Sequence, residues 1–284
     1  MNSPEFDFLA QLLYQRSGLV LTKDKAYLIQ SRLQPILRKR NIASLEELVR
    51  LLRTQRDEVL MGEIVEAMTT NESFFFRDQK PFDQFRQFVM PKMMAANASK
   101  KSLRIWSAAC STGQEPYSLA MILNEMENLW RGWTIEIVGT DLSNEVLAKA
   151  KNGCYSQFEV QRGLPVTLLV KYFKQNPQGW QLDQKIRSMV QFKSFNLLMD
   201  PIGLGKFDVV FCRNVLIYFD QATKARVLMN IRKLMPEEGY LFLGGAETML
   251  GLGDSFIALS EQRGLYIPNS QAGRAASPKA AVSH

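Results

Sequence analysis

The chain has 284 residues, 46% hydrophobic, 22% charged and 10% aromatic, with a formal charge of +7; that suffices for one large core or two modest ones. No apolar run approaches the roughly 20 residues of a membrane helix, and the start MNSPEFDFLA lacks the basic flank and apolar stretch of a secretion signal, so a cytoplasmic location is expected. The one histidine is His284 and the cysteines are Cys110, Cys154 and Cys212, with no CxxC pair, which argues against imidazole base chemistry, a disulfide framework and a metal site.

The first hundred residues read as helices. Ser3-Pro4-Glu5 opens one that Gly18 ends, and Thr22 is placed to cap a second that runs towards Asn41, with Pro35 expected to kink or split it. Ser44-Leu45-Glu46-Glu47 is a capping box for a third. Residues 57–68 form a fourth and 81–96 a fifth. Between Arg16 and Arg56 stand ten Lys or Arg against three Asp or Glu, either a solvated face or a surface for an acidic partner. The run Phe74-Phe75-Phe76 does not follow helical period, so part of residues 69–77 is expected to be extended.

After the polar stretch 97–101 the pattern changes to short apolar runs alternating with helical periods. Strands are expected at 103–109, 134–140, 207–212 and 239–243, with helices at 116–129, after Ser143, and at 221–235. This is the pattern of a parallel α/β sheet. Residues 179–195 alternate around turn formers and read as a small antiparallel insertion. The stretch from 268 is rich in Ala, Ser, Lys and Pro and reads as a disordered tail.

Three segments carry chemistry. The first strand runs into Cys110-Ser111-Thr112-Gly113-Gln114-Glu115, the turn at which open α/β sheets bind ligands. With one glycine it is no phosphate cradle. Glu115 could receive a ligand ammonium or be the acid that a helix start favours. The second strand ends in Asp141, placed either for ribose hydroxyls or as a turn residue. Together the two acids suit S-adenosylmethionine, which has a ribose and an ammonium and no phosphate. The strand at 207–212 runs into Arg213-Asn214, with Tyr218 beyond. Arg213 could steady a carboxylate; Tyr218 is a ligand contact or a core aromatic.

The segments Asn71–Arg77, Trp106–Ser118 and Phe211–Phe219 together resemble the chemotaxis receptor glutamate O-methyltransferase family, over residues 5–267. The resemblance implies a Rossmann-like class I methyltransferase domain (102–267) with a β-subdomain at about 174–195. An all-helical receptor-binding domain (1–78) and a linker (79–101) precede it. It implies that Asn71, Ser73, Arg77, Glu115, Asp141, Asn196, Leu197, Arg213 and Asn214 hold S-adenosylmethionine, that S-adenosylhomocysteine is the product, and that Tyr218 and Arg213 serve catalysis. Arg32 and Arg38 would meet the acidic methylation helices of a chemoreceptor, the enzyme acting as a monomer without nucleic acid or membrane insertion. Ser73 stands where the family commonly has threonine. The loop in Lys174–Asp183 is short for a region with which some members grip a receptor pentapeptide.

A glutamate side chain, with a pKa near 4.3, is already an anion at neutral pH and needs no general base, in keeping with the missing imidazole. The enzyme has chiefly to align carboxylate, methyl and sulfur. Two rivals stand beside this reading. One is a nucleic-acid methyltransferase with a basic reader, against which Arg213-Asn214 and no Asn-Pro-Pro-aromatic segment follows the strand at 207–212. The other is a non-catalytic cofactor-sensing protein.

Overall fold

The computed structural model describes residues 4–270; Ser3, His284 and the expected tail beyond 270 lie outside the described residues. Four helices come first: α1 (Pro4–Ser17), α2 (Ala26–Arg40, preceded by a 3-10 turn at Lys23–Lys25), α3 (Leu45–Gln55) and α4 (Glu58–Met68). Gly18, at φ 75°, ends α1 and donates its N–H to the Tyr14 carbonyl at 2.9 Å. The Ser44 hydroxyl accepts the Glu47 N–H, while the Glu47 carboxylate reaches back to the Ala43 N–H. Thr22 makes no side-chain cap, and α2 continues through Pro35, which lies on its exposed face. Apolar positions at helical spacing, among them Leu9, Leu13, Ile29, Leu33, Leu48, Leu52 and Ile64, close a core of their own.

Next come α5 (Lys80–Gln84), a π-helical turn (Phe85–Val89) and α6 (Met90–Ala96). These residues cover the sheet. Phe82, Phe85 and Met90 are buried with Ile105, Phe211 and Phe242, and the Phe85 ring meets Phe211 edge-on at 5.8 Å.

The remainder comprises β1 (Ser102–Ala108), α7 (Gln114–Glu125), β2 (Thr134–Asp141), α8 (Asn144–Asn152), β3 (Cys154–Tyr155), α9 (Gln157–Gln161), α10 (Val166–Tyr172), β4 (Phe173–Asn176), β5 (Gly179–Leu182), α11 (Gln184–Arg187), β6 (Val190–Ser194), β7 (Val209–Cys212), α12 (Gln221–Lys233), β8 (Tyr240–Leu243), β9 (Phe256–Ala258) and β10 (Leu265–Pro268). The large sheet runs β6-β2-β1-β7-β8-β10-β9. The first five strands are parallel, and β10 is antiparallel to both neighbours. The chain reverses its direction of travel across the sheet at β1, which lies between β2 and β7. This is the switch point outside whose carboxyl ends a crevice must open.

The structure corrects the expected insertion. Residues 190–194 are a parallel strand on β2 and form the edge of the large sheet. An edge strand covered on one face alternates like an antiparallel one, and so the two are alike in sequence. The small sheet is β3-β5-β4 instead. Its β4–β5 hairpin closes in a tight turn in which the Asn176 side chain accepts the Gln178 and Gly179 N–H groups at 2.8 and 2.9 Å. The edge strand β9 and its inner neighbour β10 were not anticipated, being only 3 and 4 residues long.

Candidate active site

The crevice is built on strained backbone. In the turn from β1 to α7, Ala109 (φ 56°), Ser111 (φ 51°) and Gly113 (φ 91°) are all left-handed, and so is Asn214 (φ 59°) after β7. Such conformations cost a non-glycine residue of order 1–3 kcal/mol and persist only where surroundings over-determine them. Here the Cys110 N–H donates to the Thr140 carbonyl at 2.9 Å, the Ser111 N–H to Asp141 Oδ2 at 2.8 Å, and the Ser111 hydroxyl to the Asn71 carbonyl at 2.8 Å. A side chain at Gly113 would lie 2.9 Å from the Ala150 methyl, so glycine is required for both conformation and space.

Arg213 ties three segments together. Its Nη1 donates to Glu115 Oε2 at 2.8 Å, and its Nη2 to Asp78 Oδ2 at 2.7 Å and the Arg77 carbonyl at 2.8 Å. The side chain is 1% exposed and its Nε has no partner among the described residues. The other Glu115 oxygen accepts the Ser107 hydroxyl at 2.8 Å. Glu115 is thus held from two sides at the rim of the crevice, charge-balanced and fixed in rotamer.

Asp141 closes the adjoining wall. It is buried and accepts the Ser111 and Ser143 N–H groups. Burial raises its pKa above the usual carboxylate value, with these backbone donors working the other way. One cavity is lined by Asn71, Ser73, Arg77, Glu115, Asp141, Asn196, Leu197, Arg213, Asn214 and Tyr218; every cofactor and catalytic residue singled out from the sequence therefore faces one space of roughly 1000 Å³, counted out to its open mouth. Tyr218 is half-buried, and its hydroxyl has no hydrogen-bond partner among the described residues. Its carbonyl accepts the Val20 N–H at 3.0 Å, and the Asn196 amide donates to the Arg16 carbonyl at 2.6 Å. The helical layer is thereby bonded directly to the crevice.

Arg32 and Arg38 lie outside it. Arg32 donates to the carbonyls of Met68 and Thr69 at 2.7 and 2.9 Å and to the Thr70 hydroxyl at 3.1 Å, capping α4 just before Asn71. Arg38 is exposed.

Sequence reasoning passed over several groups. Ser107 stands inside a quoted segment and Asp78 one residue beyond another, but neither showed a distinguishing pattern. Cys110 is buried and also lines the cavity; burial and the carboxylates of Asp141 and Glu115 push its thiol pKa up, which makes it a neutral wall and not a nucleophile. Glu247 gave no signal at all, being 33 residues beyond Asn214. Its carboxylate accepts the N–H groups of Asn214, Val215, Leu216 and Gly244 at 2.7 to 2.9 Å, and so it moulds the loop that carries Arg213 and Tyr218.

Two acids at the first and second strand ends suit a nucleoside with an amino group, and their charge is unfavourable to a phosphate. Comparison with known proteins agrees. Residues 4–69 match the CheR methyltransferase all-alpha domain and residues 71–265 the CheR methyltransferase SAM binding domain. The chain belongs to the CheR methyltransferase family. It is 44% identical over 256 residues to Chemotaxis protein methyltransferase 1 of Pseudomonas aeruginosa, covering 89% of this chain and 93% of that one. It is 42% identical, over the same shares, to Chemotaxis protein methyltransferase Cher2 of Pseudomonas putida. The Escherichia coli chemotaxis protein methyltransferase is 32% identical over 87% of this chain and 85% of its own. The CheR fold seen here is that of an enzyme using S-adenosylmethionine, and among the described residues no helix is long and apolar enough to cross a membrane.

Proposed function

We propose that this CheR enzyme esterifies glutamate side chains of a chemoreceptor's cytoplasmic domain, as a monomer in the cytoplasm, in the adaptation branch of chemotaxis. When bound, S-adenosylmethionine supplies the transferable methyl group. Glu115 receives its ammonium and Asp141 its ribose hydroxyls, with Asn196 and Leu197 beside the adenosine. Asn71, Ser73 and Arg77 close the cavity from the linker side, Asn214 lies by the methionine end, and Arg213 holds Glu115 in register. The observation that carries the choice of acceptor is the composition of the cavity. It offers donors, in the Tyr218 hydroxyl and the Arg77 guanidinium, while its carboxylates are already engaged, Glu72 with Arg162, Glu115 with Arg213 and Ser107, and Asp141 with the Ser111 and Ser143 N–H groups, so none is free to remove a proton. A carboxylate acceptor needs none. The names of the relatives point the same way. Labelled methyl transfer to a purified receptor cytoplasmic fragment tests the reading: alkali-labile label released as methanol supports it. Label appearing on DNA or RNA, and none on the receptor, would replace it with the nucleic-acid reading.

The basic helix α2 is assigned to the receptor's acidic methylation helices. Arg38→Glu is expected to raise KM for the receptor fragment about tenfold at low salt, the difference shrinking as ionic strength rises, with cofactor affinity unchanged. Arg32→Ala should differ by weakening cofactor binding as well, because Arg32 holds the carbonyls that lead into Asn71. Titration calorimetry of both variants separates the two roles.

Cofactor binding is also expected to depend on pH through Asp141. Ribose hydroxyls donate to the ionised carboxylate, so binding favours the deprotonated form. Affinity is full above the Asp141 pKa of the free enzyme and falls as pH drops through it. Because burial raises that pKa, the loss should begin at higher pH than an exposed aspartate would give, near 3.9. Asp141→Asn should flatten the profile at a uniformly weaker affinity.

A further inference from the structure

Arg77 lines the cavity, and the contacts that aim it come from its own segment. Its Nη1 donates to the Glu72 carbonyl at 2.9 Å, and its guanidinium lies 5.4 Å from the centre of the Phe74 ring. Phe74 carries a second cation, Arg162, whose guanidinium is 4.4 Å from the ring centre. Arg162 also pairs with Glu72 Oε1 at 2.7 Å. The same corner presses on the backbone: a Cβ on Gly163, at φ 81°, would lie 2.1 Å from the Phe75 carbonyl oxygen. Residues 162 and 163 join α9 to α10 beside the small β3-β5-β4 sheet, and neither lines the cavity.

We infer that the Arg162-Gly163 corner of this insertion is a positioning element for the cofactor site. It sets the conformation of residues 72–77 and, through Glu72 and Phe74, the direction of the Arg77 guanidinium. A planar cation stacked on an aromatic face and simultaneously paired with a carboxylate restricts both partners more than either contact alone. The glycine lets that corner approach the Phe75 carbonyl closely enough to hold the segment. Cofactor affinity is by this route linked to the insertion, and by reciprocity whatever displaces the insertion changes the affinity. The inference rests on the assignment of Arg77 to the cofactor.

The test is titration of S-adenosylhomocysteine into the full-length protein and its variants, with melting temperatures and steady-state kinetics alongside. Arg162→Ala is expected to weaken binding three- to tenfold, with the melting temperature held and the change falling in KM for the cofactor and not in kcat. Arg162→Lys keeps the charge opposite Glu72 and loses the planar stack, so it should recover part of the affinity. In a Phe74→Ala background, Arg162→Ala should cost less than it does in the wild type. Gly163→Ala should weaken binding more than tenfold. Wild-type affinity in Arg162→Ala beside a weakened Arg77→Ala would overturn the coupling and leave Arg77 in the site. Wild-type affinity in Arg77→Ala would overturn the assignment and the coupling together. A loss in Arg162→Ala that followed a lowered melting temperature would reduce the corner to a structural contact.

Discussion

Replacing Arg213 with alanine is expected to abolish measurable cofactor binding and to destabilise the fold by about 3 kcal/mol. The side chain is 1% exposed and its fork is divided, one nitrogen on Glu115 and the other on Asp78 and the Arg77 carbonyl. Truncation leaves Glu115, which is 13% exposed, as an uncompensated carboxylate at the position proposed for the ligand ammonium. The stability figure lies at the low end for a buried pair because Asp78 is 48% exposed and can be rehydrated. Arg213→Lys restores charge but has one ammonium where two directed nitrogens are needed, and it should recover stability better than binding. Calorimetric titration and thermal melting of the two variants check both statements. Full cofactor affinity in Arg213→Lys would show that charge alone suffices and that the fork geometry has no part in the site.

The second large effect is expected at Glu247, which touches no ligand in this assignment. Its two oxygens accept four backbone N–H groups, three of them from consecutive residues of the loop after β7. Hydrogen bonds to a charged acceptor are worth about 1.5–3 kcal/mol each. Glu247→Gln keeps one acceptor oxygen and turns an NH2 group towards N–H donors, so roughly half of that network is lost. A loss of about 2.8 kcal/mol, equivalent to about a hundredfold, is expected in kcat/KM, because Asn214 must hold φ 59° for Arg213 and Tyr218 to keep their places. Steady-state methyl transfer measures it. A drop below threefold would mean that the loop keeps its shape without the carboxylate, and that packing of Leu216 and Phe219 alone is enough.

Much of this arrangement was legible in the chain. Apolar spacing and the cap at Ser44 marked the helical layer, and short apolar runs ending in polar residues marked β1, β2 and β7. Since those strands are parallel and adjacent, their ends had to share one crevice, and Glu115, Asp141 and Arg213 could be brought together without coordinates. The third parallel strand was misread because alternation at a half-covered edge has the same period in either direction. The edge pair β9 and β10 was too short to register.

What the sequence alone determined is therefore what depends on local chemistry: the class of fold, the chemical class of the ligand, and the residues at the ends of strands. The tertiary structure decided which groups face the cavity and which bond to one another. Arg213 turned out to spend its fork on Glu115 and Asp78, Arg32 to cap α4, and Glu247 to mould a loop more than 30 residues earlier in the chain. The physical reason is that a charged side chain bonds to whatever partner folding brings within about 3 Å, and that partner's distance in space leaves no period or spacing in the sequence to read.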